Sequence, residues 1–190
     1  MAGLLSLVAV AVTLAGIAPT VLDWQPSRAS EQPWRAITAV AVHYSALHLG
    51  ANLAGAALVG ALGVAAGVTR PMVWAWAAAW PLTQLGLLAR PDLLHYGGLS
   101  GVLHAGAAVV AVHLLRVGPP ARRLVAFALA FGLLAKVIGE APWGPPLRSP
   151  PGWDIATAPL AHASGLVAGT LCAIVAGAWP TRGAPRSRDG

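Results

Sequence analysis

Between positions 36 and 69 the chain carries no Asp, Glu, Lys or Arg. A soluble domain needs charge on its surface, and a stretch of this length supplies none. Hydrocarbon accepts it, because a helix satisfies its own backbone hydrogen bonds and asks only for apolar side chains. The same character runs through the chain: 57% of residues are hydrophobic, 9% are charged, and Gly and Ala far outnumber Phe and Tyr. Small residues let helices approach closely where lipid removes the usual hydrophobic drive for association. The sequence therefore predicts an all-α integral membrane protein, one domain over 1–190 with helix packed against helix.

Six transmembrane helices are expected. The first is the uncharged run 4–21. A cleaved signal peptide is its rival reading, opposed by the lack of Lys or Arg ahead of it and by the poor cleavage context Ala18-Pro19. A polar loop with Pro26 and Pro33 ends in Trp34-Arg35. The charge-free segment then exceeds one span, so an interfacial or re-entrant lead-in is expected before a second helix at 43–64. A third, at 73–89, contains Pro81, which should kink it or mark a local irregularity. The fourth, 100–117, stops at Gly118-Pro119-Pro120. The fifth, 124–140, carries Lys136 and Glu140 one turn apart, placed to pair or to snorkel outward. Residues 141–159 hold six prolines and should form an irregular loop, with Trp143 and Trp153 as interface anchors. A sixth helix at 160–178 precedes a basic tail, 181–190, expected to be disordered.

An even number of spans puts both termini on one side. Arg70, Arg116, Arg122, Arg123, Arg182, Arg186 and Arg188 share that side against Asp189 alone. On the other side Arg28, Arg35, Arg90 and Arg148 are balanced by Asp23, Glu31, Asp92 and Asp154. The positive-inside rule makes the side of the termini cytoplasmic. The formal charge of +6 thus comes from helix ends, with no basic face interleaved with aromatics, and no nucleic-acid partner is expected. Cys172, the single cysteine, can form no internal disulfide.

The stretch HYGGLSGVLH, 95–104, sets Ser100 between glycines where a loop becomes the fourth helix. Unpaired N–H groups and the helix dipole at such a site would stabilise an oxyanion, and Gly98 and Gly101 permit close backbone approach. An N-cap with small packing residues explains the same letters. His162 lies near the outer end of the sixth helix, and Gly165 and Gly169 after it form a small-xxx-small step that would bring this helix onto the fourth. A Ser-His pair requires that closeness, since a base must come within about 3 Å of the hydroxyl it deprotonates. His48 and Asn52, four apart on one face of the second helix, can donate hydrogen bonds to an oxyanion. Each histidine alone reads as a packing or hydrogen-bonding residue, and His113, deep along the fourth helix, is read that way. Polar groups at matching depth on three helices are harder to ascribe to packing.

The combination resembles a known family. Trp34-Arg35, His43, His48 and Asn52 in the spacing WR-x7-H-x4-H-x3-N, then Gly98-Leu99-Ser100-Gly101, then AH-x2-G-x3-G from Ala161 to Gly169, is similar to the signature of the rhomboid intramembrane serine proteases. The resemblance implies a six-helix rhomboid-like bundle with Ser100 as nucleophile and His162 as general base, and no Asp as third member. Ser100 N–H, His48 and Asn52 would form the oxyanion hole. His43 matches a histidine thought to help retain water, and Arg35 a structural arginine of the first loop. Small size, YGGLSGVLH and Glu140 after the fifth helix most resemble the rhombosortase subgroup. That subgroup implies transmembrane protein substrates with a C-terminal Gly-Gly motif, apolar helix and basic tail, processed at the outer face of a bacterial inner membrane. Many rhomboids carry Tyr four residues after the serine, stacked on the catalytic imidazole. Here His104 stands there, either under His162 or bonded to a backbone carbonyl.

No cofactor or metal is expected, and membrane lipid is the surrounding partner. Three other readings stay open: a general rhomboid with varied transmembrane substrates, a catalytically silent relative that binds membrane clients, and a subunit anchoring haem or quinone through His43, His48, His104 and His162.

Overall fold

The computed structural model describes residues 1–178, so the basic tail at 181–190 lies outside the described residues. Within them six helices of three turns or more form: α1 (Ala2–Leu14), α2 (Ala46–Ala66), α3 (Arg70–Leu85), α4 (Ser100–Val117), α5 (Pro120–Gly139) and α6 (Pro159–Ala178). Their bounds follow local chemistry. Ser45 caps α2 by accepting the His48 N–H at 3.0 Å, and Gly67, in the left-handed region at φ +66°, ends it. α5 begins at Pro120, earlier than position 124, because proline at a first helical position costs no hydrogen bond; Arg122 and Arg123 therefore lie inside the helix. Pro81 is accommodated within α3, which tightens into a 3-10 turn only after Leu85.

The first helix departs most from expectation. It stops at Leu14, well short of position 21, because Gly16 turns left-handed at φ +62° and Pro19 opens a separate single turn. Its 13 residues rise about 20 Å, short of a hydrocarbon core of about 30 Å. Among the described residues, α2, α4 and α6 are long and apolar enough to cross a membrane.

α4 occupies the centre, with α2, α3, α5 and α6 around it and α1 lying against α2. Its contact with α6 is the most intimate, and the reason is glycine. A Cβ at Gly165 would lie 1.9 Å from the Gly101 carbonyl oxygen, and one at Gly169 would lie 2.3 Å from that of Ala105. Only hydrogen at those positions lets backbone meet backbone. α3 closes on α4 through Trp76, whose indole N–H donates to the Val102 carbonyl at 2.7 Å and whose ring fills the space beside Gly106. Large apolar side chains such as Trp74, Phe131 and Val175 point outward, as lipid contact requires.

The lead-in before α2 folds into short turns pinned by a buried carboxylate. Asp23 is fully buried; Arg35 reaches its Oδ1 at 3.3 Å and also donates to the Asp23 and Thr20 carbonyls, while His95 meets Oδ2 at 2.8 Å. Trp24 and Tyr96 exchange backbone hydrogen bonds beside it. The loop that delivers Ser100 is thereby fastened to the first loop. Asp23, read in the sequence as one charge of an outer loop, belongs to this interior cluster.

Candidate active site

Ser100 is the first residue of α4, and the loop before it has an unusual shape for a physical reason. Gly98 adopts φ +120°, and a Cβ there would lie 2.6 Å from His48 Nε2. Only glycine tolerates both the backbone angle and the neighbour. Gly97 is equally confined, against Val42, and the Gly98 N–H donates to the Ala39 carbonyl at 2.9 Å. The chain is thus held rigidly as it turns into the helix.

His162 stands in the first turn of α6. The Gly165 and Gly169 contacts bring its ring to the start of α4, where Nε2 is 2.9 Å from Ser100 Oγ. The other ring nitrogen, Nδ1, is 2.6 Å from Glu140 Oε2. An ionised carboxylate only accepts, so Nδ1 carries the proton and Nε2 presents its lone pair to the hydroxyl. That is the tautomer a general base needs. Burial disfavours charge on Glu140, but the His162 ring and the Lys136 ammonium outweigh it and hold the carboxyl at about 2, below the usual carboxylate range. Glu140 lies just beyond the end of α5, bonded to Lys136 through its second oxygen. In the sequence it was legible as the partner of Lys136 and as a point of subgroup resemblance, not as a partner of His162. The missed signal was depth: Glu140 at the end of α5 and His162 at the start of α6 must lie at the same level.

The expected donors stand opposite. His48 Nδ1 accepts the Tyr44 N–H at 3.4 Å, which leaves Nε2 protonated and directed at the Gly98 turn. Asn52 Nδ2 is buried and has no hydrogen-bond partner among the described residues, although it lines the same cavity as Ser100. An unpaired buried donor is costly unless something binds it. His43 packs its ring 4.8 Å from that of His48, with Nδ1 3.3 Å from the Ala41 carbonyl. Burial lowers its pKa below the ordinary histidine value, partly offset by that carbonyl.

His104 satisfies both accounts of it at once. Its ring stacks on His162 with centroids 4.3 Å apart and planes 17° from parallel, while Nδ1–H donates to the Ser100 carbonyl at 2.7 Å. Arg35 sits away from the serine, in the Asp23 cluster, and His113 is buried lower along α4. Trp143 is largely exposed, but Trp153 lines the cavity, so it is not purely an interface residue.

That cavity, of about 1070 Å³, runs from Ser100 and His162 down between α2 and α5, past Leu58, Leu62, Leu129 and Leu133. Its roof is the proline-rich loop, held to α2 by a 2.8 Å bond from Ser45 Oγ to Asp154 and closed on itself by the Arg148–Thr157 bridge. An apolar trough leading to a serine, an imidazole and unpaired donors at one rim of a helical bundle defines a membrane-embedded protein built around a polar site. The family model described as Rhomboid domain matches residues 30–179. The chain belongs to the rhomboid family, whose members are serine-type intramembrane proteases, and it is a multi-pass membrane protein. No curated protein and no solved structure matches it.

Proposed function

We propose that the protein is an intramembrane serine endopeptidase working through Ser100 and His162. The 2.9 Å contact between Ser100 Oγ and His162 Nε2 carries the reading. Ser100 Oγ attacks a substrate carbonyl carbon as its proton passes to His162 Nε2. The oxyanion takes hydrogen bonds from Ser100 N–H, His48 Nε2–H and Asn52 Nδ2–H, which need no reorganisation to meet it. Collapse breaks the C–N bond, and His162 returns the proton to the leaving amine. The acyl-enzyme then goes to water or to another amine. A catalytically silent client binder would have no use for the Ser-His contact.

The substrate we infer is a secreted protein ending in Gly-Gly, an apolar helix and a basic tail, cleaved at the outer face of a bacterial inner membrane, as a rhombosortase would do. A helical segment hides its carbonyls in its own hydrogen bonds, and glycines release them. The trough between α2 and α5 suits an apolar helix lying below such a glycine pair. The test is a reporter with this C-terminal signal, co-expressed with wild type, with Ser100→Ala and with His162→Ala. Cleavage by wild type alone, lost when Gly-Gly is replaced by Leu-Leu, supports the reading. Cleavage that ignores the glycines and the basic tail supports a general rhomboid protease instead, and cleavage by Ser100→Ala overturns both.

A further inference from the structure

Glu140 has no part in the steps above, yet two unfavourable local choices converge on it. An anion at a helix C-terminus faces the negative end of the dipole, and the next residue, Ala141, takes the left-handed conformation at φ +50° that usually calls for glycine. Strain of this kind persists where surrounding contacts over-determine it. Beside this turn Oε2 lies 2.6 Å from His162 Nδ1, while Lys136 engages Oε1 and fixes the carboxylate. α5 otherwise packs on α4 and meets α6 only sparsely, so this bond is one of few ties between α5 and α6.

We propose that Glu140 is the positioning residue of His162, a third member of the relay delivered by α5; this rests on the proteolytic reading of Ser100 and His162. Glu140 fixes the tautomer and orientation of the ring and stabilises the imidazolium formed when Ser100 is deprotonated. It acts through the imidazole, not on the serine, with which it makes no hydrogen bond. Lys136, one turn earlier, orients the carboxylate rather than the ring.

The test uses the full chain in detergent and a fluorophosphonate probe, with the labelling rate at saturating probe and the half-saturating concentration measured separately. Glu140→Gln keeps the size of the side chain but cannot hold a negative charge. It should slow maximal labelling about 10- to 100-fold, at or below the low end of general acid-base contributions because the base itself remains, with half-saturation unchanged within about twofold. Glu140→Asp should recover part of the rate. If Glu140 merely supported the fold, Glu140→Gln would lower the fraction of protein that labels, and the melting temperature, while the labelled fraction reacted at the wild-type rate. That result, or a wild-type rate with full amplitude, overturns the proposal. Wild-type protein with no Ser100-dependent labelling overturns the proteolytic reading itself, and this inference with it.

Discussion

Gly165→Ala should disable the protein while altering a residue that makes no hydrogen bond to the site. A methyl there would lie 1.9 Å from the Gly101 carbonyl oxygen and 2.8 Å from its carbon. Ordinary van der Waals contact is then violated by about 1.5 Å. The obstacle is helix backbone, which cannot rotate away as a side chain would, so α4 and α6 must separate. Ser100 precedes Gly101 directly and His162 lies one turn before Gly165, so the separation falls on the 2.9 Å bond between them. An added displacement near 1 Å takes that bond past about 3.5 Å, where it no longer counts as one. Misplacement on this scale costs on the order of 10²-fold in rate, and overpacking costs about 1–3 kcal/mol in stability. The assay is fluorophosphonate labelling alongside thermal unfolding, with Gly132→Ala as control because a methyl at 132 on α5 meets nothing within 4 Å. Gly132→Ala should label like wild type. If Gly165→Ala labels within twofold of wild type, glycine-mediated apposition of α4 and α6 does not set the distance between serine and imidazole.

Asn52→Ala removes the unpaired buried donor and should slow turnover by about 10²-fold, as loss of one oxyanion donor does, without lowering the melting temperature; an unchanged rate constant removes Asn52 from the site. Arg35→Met leaves the buried Asp23 carboxylate without its guanidinium partner. It should destabilise by about 3 kcal/mol, the low end for a broken buried pair because His95 remains in contact. The double variant with Asp23→Asn should lose less than the sum of the singles, and strict additivity in denaturant unfolding would deny the coupling. His104→Leu removes a stacked ring worth about 0.5–1.5 kcal/mol and should slow labelling two- to tenfold, on the order of that energy. His104→Tyr should restore the stack, and equal rates for Leu and Tyr at this position would leave the stacking without a role.

The parts of the site that lie on helices were legible in the sequence. Ser100 sits where glycines mark a helix start, and the step from Gly165 to Gly169 announces a close helix contact that carries His162 with it. His48 and Asn52 share a face by simple periodicity. The parts that depend on loops were not. Glu140 and His162 are separated by a proline-rich segment with no period to read, and Lys136 one turn before Glu140 already offered the acid a sufficient partner. The Asp23 cluster was hidden for the same reason, since its members Arg35, Tyr44 and His95 come from three separated loop positions. At the first helix the apolar run continues past Leu14, and hydropathy cannot reveal that Gly16 leaves the helical region. The proline-rich loop, expected to be irregular, is irregular but tied down at Ser45 and Thr157.

The central claim is that Ser100 is a nucleophile activated by His162. Purified protein treated with a fluorophosphonate, digested and read by mass spectrometry tests it most directly. The account predicts one phosphonyl adduct, on the peptide containing Ser100, absent in Ser100→Ala and reduced by about 10²-fold or more in rate in His162→Ala. An adduct on a different residue, or a Ser100 adduct that forms as fast without the imidazole, would contradict it.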